Sequence, residues 1–495
     1  MEAKFNLVDE PWIPVLREER VVEVGIREAL LEAPTILRIE TPSPLEEAAL
    51  HRLLLAVLHR ALEGPRRPED VLDWWRAGRF PKKPIEDYLN HFRDRFFLFH
   101  PEAPFLQVAD LPEDKPLPWS KLLPELASGD NPTLFDHTTE ENVPKATYAQ
   151  ATRALLVHQT FALGGLLRRY GVPSAQDAPV VRSALFLPTG ENLLQTLLLN
   201  LVPYPQEEDA PIWEVPPLRL QDLEGAKTEW PLSGRTRVYT WPSRGVRLLD
   251  EGDGVRFMGY GPGVKPSEAV YRDPMVAQRL DAKVKVEFLR FSKEKSFWRD
   301  FSAMLPRQGG KVAATVDHAQ DLQNKLQDEE EGWEGQVALR VLGQVSELGK
   351  DKVLDVRREV YPLPTGLLSP KGEENLEKAL KAAEELGQGL FHLVLEVAWA
   401  VMGERDRQEL KNFARSLPLE RLYWHALDGA FPRFLAQVEK KDSLELWREE
   451  LKGAARGAWE ATRLFLGTEA RHLKALAEGE RLLGYLLGRL EEVVG

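Results

Sequence analysis

Apolar and polar positions alternate over Phe5–Val8, Trp12–Leu16 and Arg20–Val24, with the turn-forming Asp9-Glu10-Pro11 between the first two. A period of two residues is the mark of half-buried strands, so the chain is expected to open on three short β-strands. The period then changes. Pro44, Glu46 and Glu47 begin a stretch in which Leu50, Leu54, Val57, Leu58 and Ala61 fall on one face, so a helix is expected to about Leu62, stopped by Pro65. Residues 146–167 and 187–202 also have helical spacing, as do 296–305 and 315–327. Strand-like runs are expected at Arg235–Trp241 and Val284–Phe291. Between these, 128–143 lacks periodicity and is full of turn formers (Ser128-Gly129-Asp130-Asn131-Pro132), the composition of a long exposed loop.

From Lys371 the texture becomes helical. Glu373–Met402 is one long helix-favouring run, Leu417-Pro418-Leu419-Glu420 puts a proline at a second start, Asp442-Ser443 can cap a third, and Gly467-Thr468-Glu469 resets to a fourth. Four helices with short connections make an up-and-down bundle. The expected fold is therefore α+β: a large mixed domain over 1–365, a Pro/Gly linker from Tyr361 to Gly372, and a four-helix bundle over 371–495. The 495-residue length suits two such domains, and 43% hydrophobic residues with 13 tryptophans can fill their cores.

Zero cysteines exclude disulfides, thiolate zinc sites, iron–sulfur clusters and a cysteine nucleophile, and suit a reducing cytoplasm. The start MEAKFNLVDEPW has no basic-then-apolar pattern of a secretory signal, and no apolar run is long enough to span a membrane. A cytoplasmic protein is expected, and its few Met, many Pro, Glu and Arg suit a thermophile. A net charge of −13 repels phosphate at long range, so any nucleic-acid role must rest on local basic patches or on partners.

Catalytic motifs are missing. Gln308-Gly309-Gly310-Lys311-Val312 lacks the leading glycine and the hydroxyl of a phosphate-binding loop, and Gly259-Tyr260-Gly261-Pro262-Gly263 imitates a dinucleotide loop but reads as a turn. His392 and Glu396 share a helix face at i, i+4, which a metal or acid–base site also uses, yet supply only two groups. No cofactor or metal is expected.

Charge placement is more informative than charge total. Val143–Gly190 holds Lys145, Arg153, Arg168, Arg169 and Arg182 against Asp177 alone, around Gly164-Gly165 and Arg168-Arg169-Tyr170-Gly171-Val172-Pro173. Glycines admit close backbone approach and guanidinium groups suit phosphate, although a helix end paired with acids from elsewhere reads the same way. Tyr271–Asp300 carries eight cations against five acids, with Lys283 and Lys285 on one face if that run is a strand. A charged turn, Gly349-Lys350-Asp351-Lys352, is the third cluster.

The opening Phe5-Asn6-Leu7-Val8-Asp9-Glu10-Pro11-Trp12-Ile13-Pro14-Val15 resembles the start of the CasA family, the large subunits of type I-E CRISPR surveillance complexes (Cascade). Chain length, the irregular 128–143 loop and the terminal helices extend the resemblance over the whole sequence. It implies a non-catalytic subunit whose partners are the other Cascade subunits, the 5′ handle of the CRISPR RNA, a double-stranded DNA target and a helicase–nuclease. Such a subunit reads the short motif beside the target from the minor groove, helps open the duplex and docks the nuclease. By position, the resemblance puts a glycine loop within Gly164–Gln176, centred on Gly171 beside Arg168 and Arg169. It puts a lysine finger at Lys283 or Lys285, and a wedge at Gly349-Lys350-Asp351 next to Lys352. Phe135, near Asn131, would contact the RNA handle. In one member of the family the wedge is a glutamine, which this tip lacks, and the cysteine-rich cluster that some relatives carry is missing here. A protein scaffold that bridges subunits without reading DNA is the alternative.

Overall fold

The computed structural model describes residues 2–124, 143–205, 209–267, 271–280, 286–306, 309–328, 335–346, 352–403 and 406–493. The chain divides into two compact units: Met1–Phe297 with Gly310–Val360, and Trp298–Gly309 with Tyr361–Gly495.

The first unit opens on the expected strands. Ile13–Arg17 pairs antiparallel with Arg20–Val24 and, on its other side, with Arg38–Ile39. Its central helix, Pro44–Ala61, starts where Ser43 Oγ accepts the Glu46 N–H and is buried on nearly all sides. That is why its sequence is apolar beyond one stripe. Even its charges are buried: Glu47 pairs with Arg358, whose Nε lies 2.7 Å from its carboxylate, and with Arg340, so two strand arginines neutralise a carboxylate with no exposure of its own. Those arginines belong to a three-stranded sheet in the order Val353–Pro362, Ala338–Ser346, Leu185–Thr189. A third three-stranded sheet joins Arg244–Asp250, Val255–Pro262 and Leu117–Pro118.

Several expectations change here. The helix expected over 146–167 is Tyr148–Phe161 only, and Gly165–Arg169 is instead a strand. Leu185–Thr189 is a strand that precedes a shorter helix, Leu193–Asn200, because Asn192 caps a new start. Arg235–Tyr239 is a short helix rather than a strand, its first N–H groups taken by Asp209. Among the described residues the strand expected from Val284 is Val286–Phe288.

In the second unit, Pro370–Met402 begins where Ser369 Oγ accepts the Gly372 N–H at 3.0 Å. It packs on Leu419–Leu435, Ser443–Arg463 and Ala470–Val493, the other three expected helices. A further helix, Arg407–Ser416, lies between the first two in the chain. The unit also takes in Trp298–Gly309, which the expected boundary near 365 left out. The reason is aromatic packing. Trp298 stacks on Phe431 at 4.6 Å, and its indole N–H donates to Asp428 at 2.8 Å. Arg299 lies 3.5 Å from the Trp424 ring centre and pairs with Glu384 at 3.0 Å. Among the described residues, no single helix is long and apolar enough to cross a membrane.

Candidate nucleic-acid interface

Gly165–Arg169 and Val172–Ala175 form a β-hairpin closed by Tyr170 and Gly171. Both turn residues have positive φ, 49° and 71°, as a two-residue turn of the primed type requires. The register shifts between Leu166 and Arg169, and Arg168 takes φ of 52° in that bulge. A bulge re-aims side chains, and the result is a hairpin edge carrying exposed Arg168 beside Leu166, which is 75% exposed. Arg168 has no hydrogen-bond or ion-pair partner among the described residues.

Arg169 behaves differently. Its guanidinium donates to the Tyr260 and Lys115 carbonyls, both at 3.0 Å, so it fastens the hairpin to the neighbouring sheet rather than facing a ligand. The tip is fastened too: Gly225 N–H donates to the Tyr170 carbonyl at 3.0 Å. The imitation dinucleotide loop is part of this seat, as a strand (Val255–Pro262) and not the turn expected from sequence. A Cβ on Gly261 would stand 2.8 Å from the Tyr170 ring, so the glycine there admits the hairpin and not a phosphate. At the base, buried Arg244 donates to the Leu163 carbonyl at 2.6 Å and to the Gln176 carbonyl at 3.0 Å.

One short segment then ties this hairpin to the other two candidate places. Asp177 Oδ1 accepts the Gly164 N–H at 2.6 Å, and Asp177 Oδ2 accepts from Arg182 Nε at 2.6 Å. Arg182 Nη1 reaches Ser346 Oγ at 3.3 Å, the end of strand Ala338–Ser346 that leads into 347–351. Ala184 N–H donates to the Leu289 carbonyl at 2.8 Å, and Phe186 N–H to the Met275 carbonyl at 2.8 Å. Leu289 and Met275 flank the antiparallel pair Gln278–Leu280 and Val286–Phe288, whose connection is 281–285. Residues 177–186 thus join the roots of all three clusters.

Lys283, Lys285, Gly349 and Lys350 lie outside the described residues, as do Asn131, Phe135 and 128–142 of the irregular loop. Lys352 is described and exposed, immediately before strand Val353–Pro362. Arg290 and Lys293 are exposed as well, with no side-chain partner among the described residues. Arg182, Arg244 and Arg357 are positioning residues, of which the sequence pointed only to Arg182, as one cation of the first basic cluster. Arg357 forks onto the Ser292, Lys293 and Lys295 carbonyls at 2.9, 3.0 and 3.1 Å, fixing the basic 292–295 turn against its strand. The Arg357-Arg358 doublet was the available signal, since alternation sends the two to opposite faces, one to this turn and one to Glu47.

His59, His158 and His318 are structural. His158 Nε2 meets the Tyr260 hydroxyl at 2.9 Å, and burial, with Arg244 nearby, pushes its pKa down to about 3. Burial likewise lowers His318 to about 4 and His59 well below its ordinary value. In the second unit, His392 and Glu396 line a groove of about 610 Å³ between Pro370–Met402 and Ala470–Val493, together with Glu385, Tyr485 and Arg489. Among the described residues no group of three or more His, Asp or Glu side chains is placed to hold a metal ion.

The sequence profile of CRISPR-associated protein Cse1 matches residues 6–458. The chain belongs to the Cse1 (CasA) family. A CasA/Cse1 protein of Thermus thermophilus is 77% identical over 499 residues, covering 99% of each chain. The solved Thermus thermophilus CasA has a TM-score of 0.92 at 74% identity, covering 99% of this chain and 100% of its own. The fold also matches a chain from a structure described as a CRISPR RNA-guided surveillance complex, with a TM-score of 0.76 at 19% identity over 98% of this Cse1-family chain and 100% of that one.

Proposed function

We propose that this chain is the large subunit of a cytoplasmic RNA-guided surveillance complex, a non-catalytic component that reads the short motif beside a DNA target, promotes opening of the duplex there and docks a helicase–nuclease. Family membership and the fold shared with a surveillance-complex chain support the assembly, with CRISPR RNA and the other subunits as partners. The observation that carries the finer reading is that described residues flanking three basic, turn-rich places all attach to residues 177–186.

In this reading the Tyr170-Gly171 turn and exposed Arg168 approach the DNA backbone, Lys283 or Lys285 enters the minor groove, and Gly349-Lys350-Asp351 with Lys352 stands at the opening point. Asn131 and Phe135 meet the RNA handle. The minor groove mainly separates A·T from G·C pairs, so a reader with one lysine and backbone contacts accepts several motifs. Wedging a base step costs a few kcal/mol, which guide pairing then offsets. A net charge of −13 keeps the free chain from competing for DNA until its partners supply the rest of the channel.

Replacing Lys283 and Lys285 together with alanine is expected to weaken binding of matched targets while the complex still assembles, measured by gel shift and size exclusion. Unchanged affinity removes the lysine finger. The second unit also exposes Trp399, Leu464, Phe465 and Tyr485, which favours a protein-contacting role for that unit. If adding this chain leaves the complex's salt slope and motif preference unchanged, that scaffold role is the whole function.

A further inference from the structure

Arg182 holds two separate structures at once. Its Nε and Nη2 grip Asp177 at 2.6 and 3.3 Å, while Nη1 reaches Ser346 Oγ at 3.3 Å. On the Asp177 side lies the Gly164 N–H, the entry to the hairpin. On the Ser346 side lies the end of a strand hydrogen-bonded to a neighbour on each flank, Leu185–Thr189 and Val353–Pro362, and therefore stiff. A two-stranded hairpin is marginal by itself, so its position depends on such anchors.

We infer that Arg182 is a positioning residue that couples recognition of the motif to opening of the duplex, by keeping the base of the 165–175 hairpin in register with the end of strand Ala338–Ser346. The inference rests on the function proposed above and adds a mechanical link to it. A load applied to the hairpin by bound DNA passes through Gly164 and Asp177 to the guanidinium, and from there to Ser346. Only a planar fork can serve both ends: lysine carries one compact charge on a flexible stem, can keep the Asp177 pair, and cannot hold Ser346 at the same time. The carboxylate cannot be exchanged freely either, because its second oxygen is committed to a backbone N–H. Arg182 is partly buried, with 22% of its side chain exposed, so the pair is less diluted by solvent than a surface pair.

The test uses the reconstituted complex carrying the wild-type chain, Arg182→Lys or Ser346→Ala. Ser346→Ala removes one hydroxyl and leaves the hairpin anchor in place, so it is expected to fold. Three DNA targets separate the steps: a duplex with the motif but no match to the guide, a matched duplex with 2-aminopurine in the first base pair beyond the motif, and the same duplex pre-opened by mismatches at that point. Both variants are expected to bind the first within about twofold of wild type, to open the second roughly three- to tenfold more slowly, and to match wild type on the third. Opening at the wild-type rate in both variants overturns the coupling. Equal losses on all three targets overturn it as well, by reducing Arg182 to a structural prop. Failure of the underlying function has a different signature: the wild-type complex itself would show no preference for the motif on the first target.

Discussion

Arg168 and Arg169 are neighbours in sequence and both are candidate DNA contacts by composition, yet they face different tasks. Arg169 gives two charge-assisted hydrogen bonds to the carbonyls of Tyr260 and Lys115 and is half-buried. Removing a charged donor from two such bonds costs about 2–3 kcal/mol at the modest end of the range, and part of that is the desolvation of carbonyls left without a partner. For a unit of this size that corresponds to a fall in Tm of roughly 3–6 °C for Arg169→Gln. Arg168 is exposed and holds nothing among the described residues, so Arg168→Gln is expected to change stability by less than about 0.5 kcal/mol. Its effect lies in binding: if its guanidinium neutralises one phosphate, the slope of log K against log salt shrinks by about 0.9. Thermal unfolding of the isolated chain reads the first quantity, and target binding by the assembled complex across a series of salt concentrations reads the second. An Arg169→Gln chain that melts normally while the complex loses one unit of salt slope would refute the division of labour. So would an Arg168→Gln complex with an unchanged slope.

Gly171 has φ of 71°, and nothing stands closer than 3.6 Å to a Cβ placed there, so Gly171→Ala is expected to lose about 1 kcal/mol from backbone strain alone in chemical denaturation. Gly171→Asn, which tolerates that conformation, should recover most of the stability, and DNA affinity that stays low in it marks a close approach of the duplex. His59, His158 and His318 have pKa values lowered by burial, so the folded chain stays neutral there while the unfolded chain takes up protons. Stability from these groups is full above pH 6.5 and falls as pH drops toward the lowered values, about 3 for His158 and about 4 for His318; by pH 5 the loss is about 2 kcal/mol for each of those two, and a Tm that is the same at pH 7.5 and pH 5 contradicts it. Trp298→Ala should cost about 3–5 kcal/mol by emptying the stack on Phe431, read as selective proteolysis of the helical unit; equal resistance would deny that 298–309 belongs to it.

The opening strands, the Pro44–Ala61 helix and the four long terminal helices were legible because each carries its own period and its own start signal. Gly165–Arg169 was not, since a strand that follows a helix after three residues continues its apolar run, and only tertiary pairing with Val172–Ala175 decides the matter. Trp298–Gly309 could not be placed with the helical unit from sequence, because its partners Asp428 and Phe431 lie more than a hundred residues away. The candidate site divides in the same manner. Composition found where cations cluster, but whether an arginine is free or spent depends on which carbonyls surround it: Arg168 and Arg169 are indistinguishable in sequence, and Arg182 gains its meaning only from Asp177 and Ser346.

The central claim, that an anionic subunit brings motif reading to its complex, is tested most directly by comparing complexes assembled with and without this chain. Each is titrated with salt against a motif-bearing and a motif-scrambled duplex of equal length. The chain is expected to add a preference for the motif and a steeper salt dependence, both reduced by Arg168→Gln. Identical slopes and identical affinities for the two duplexes, with the chain stably bound, would contradict it.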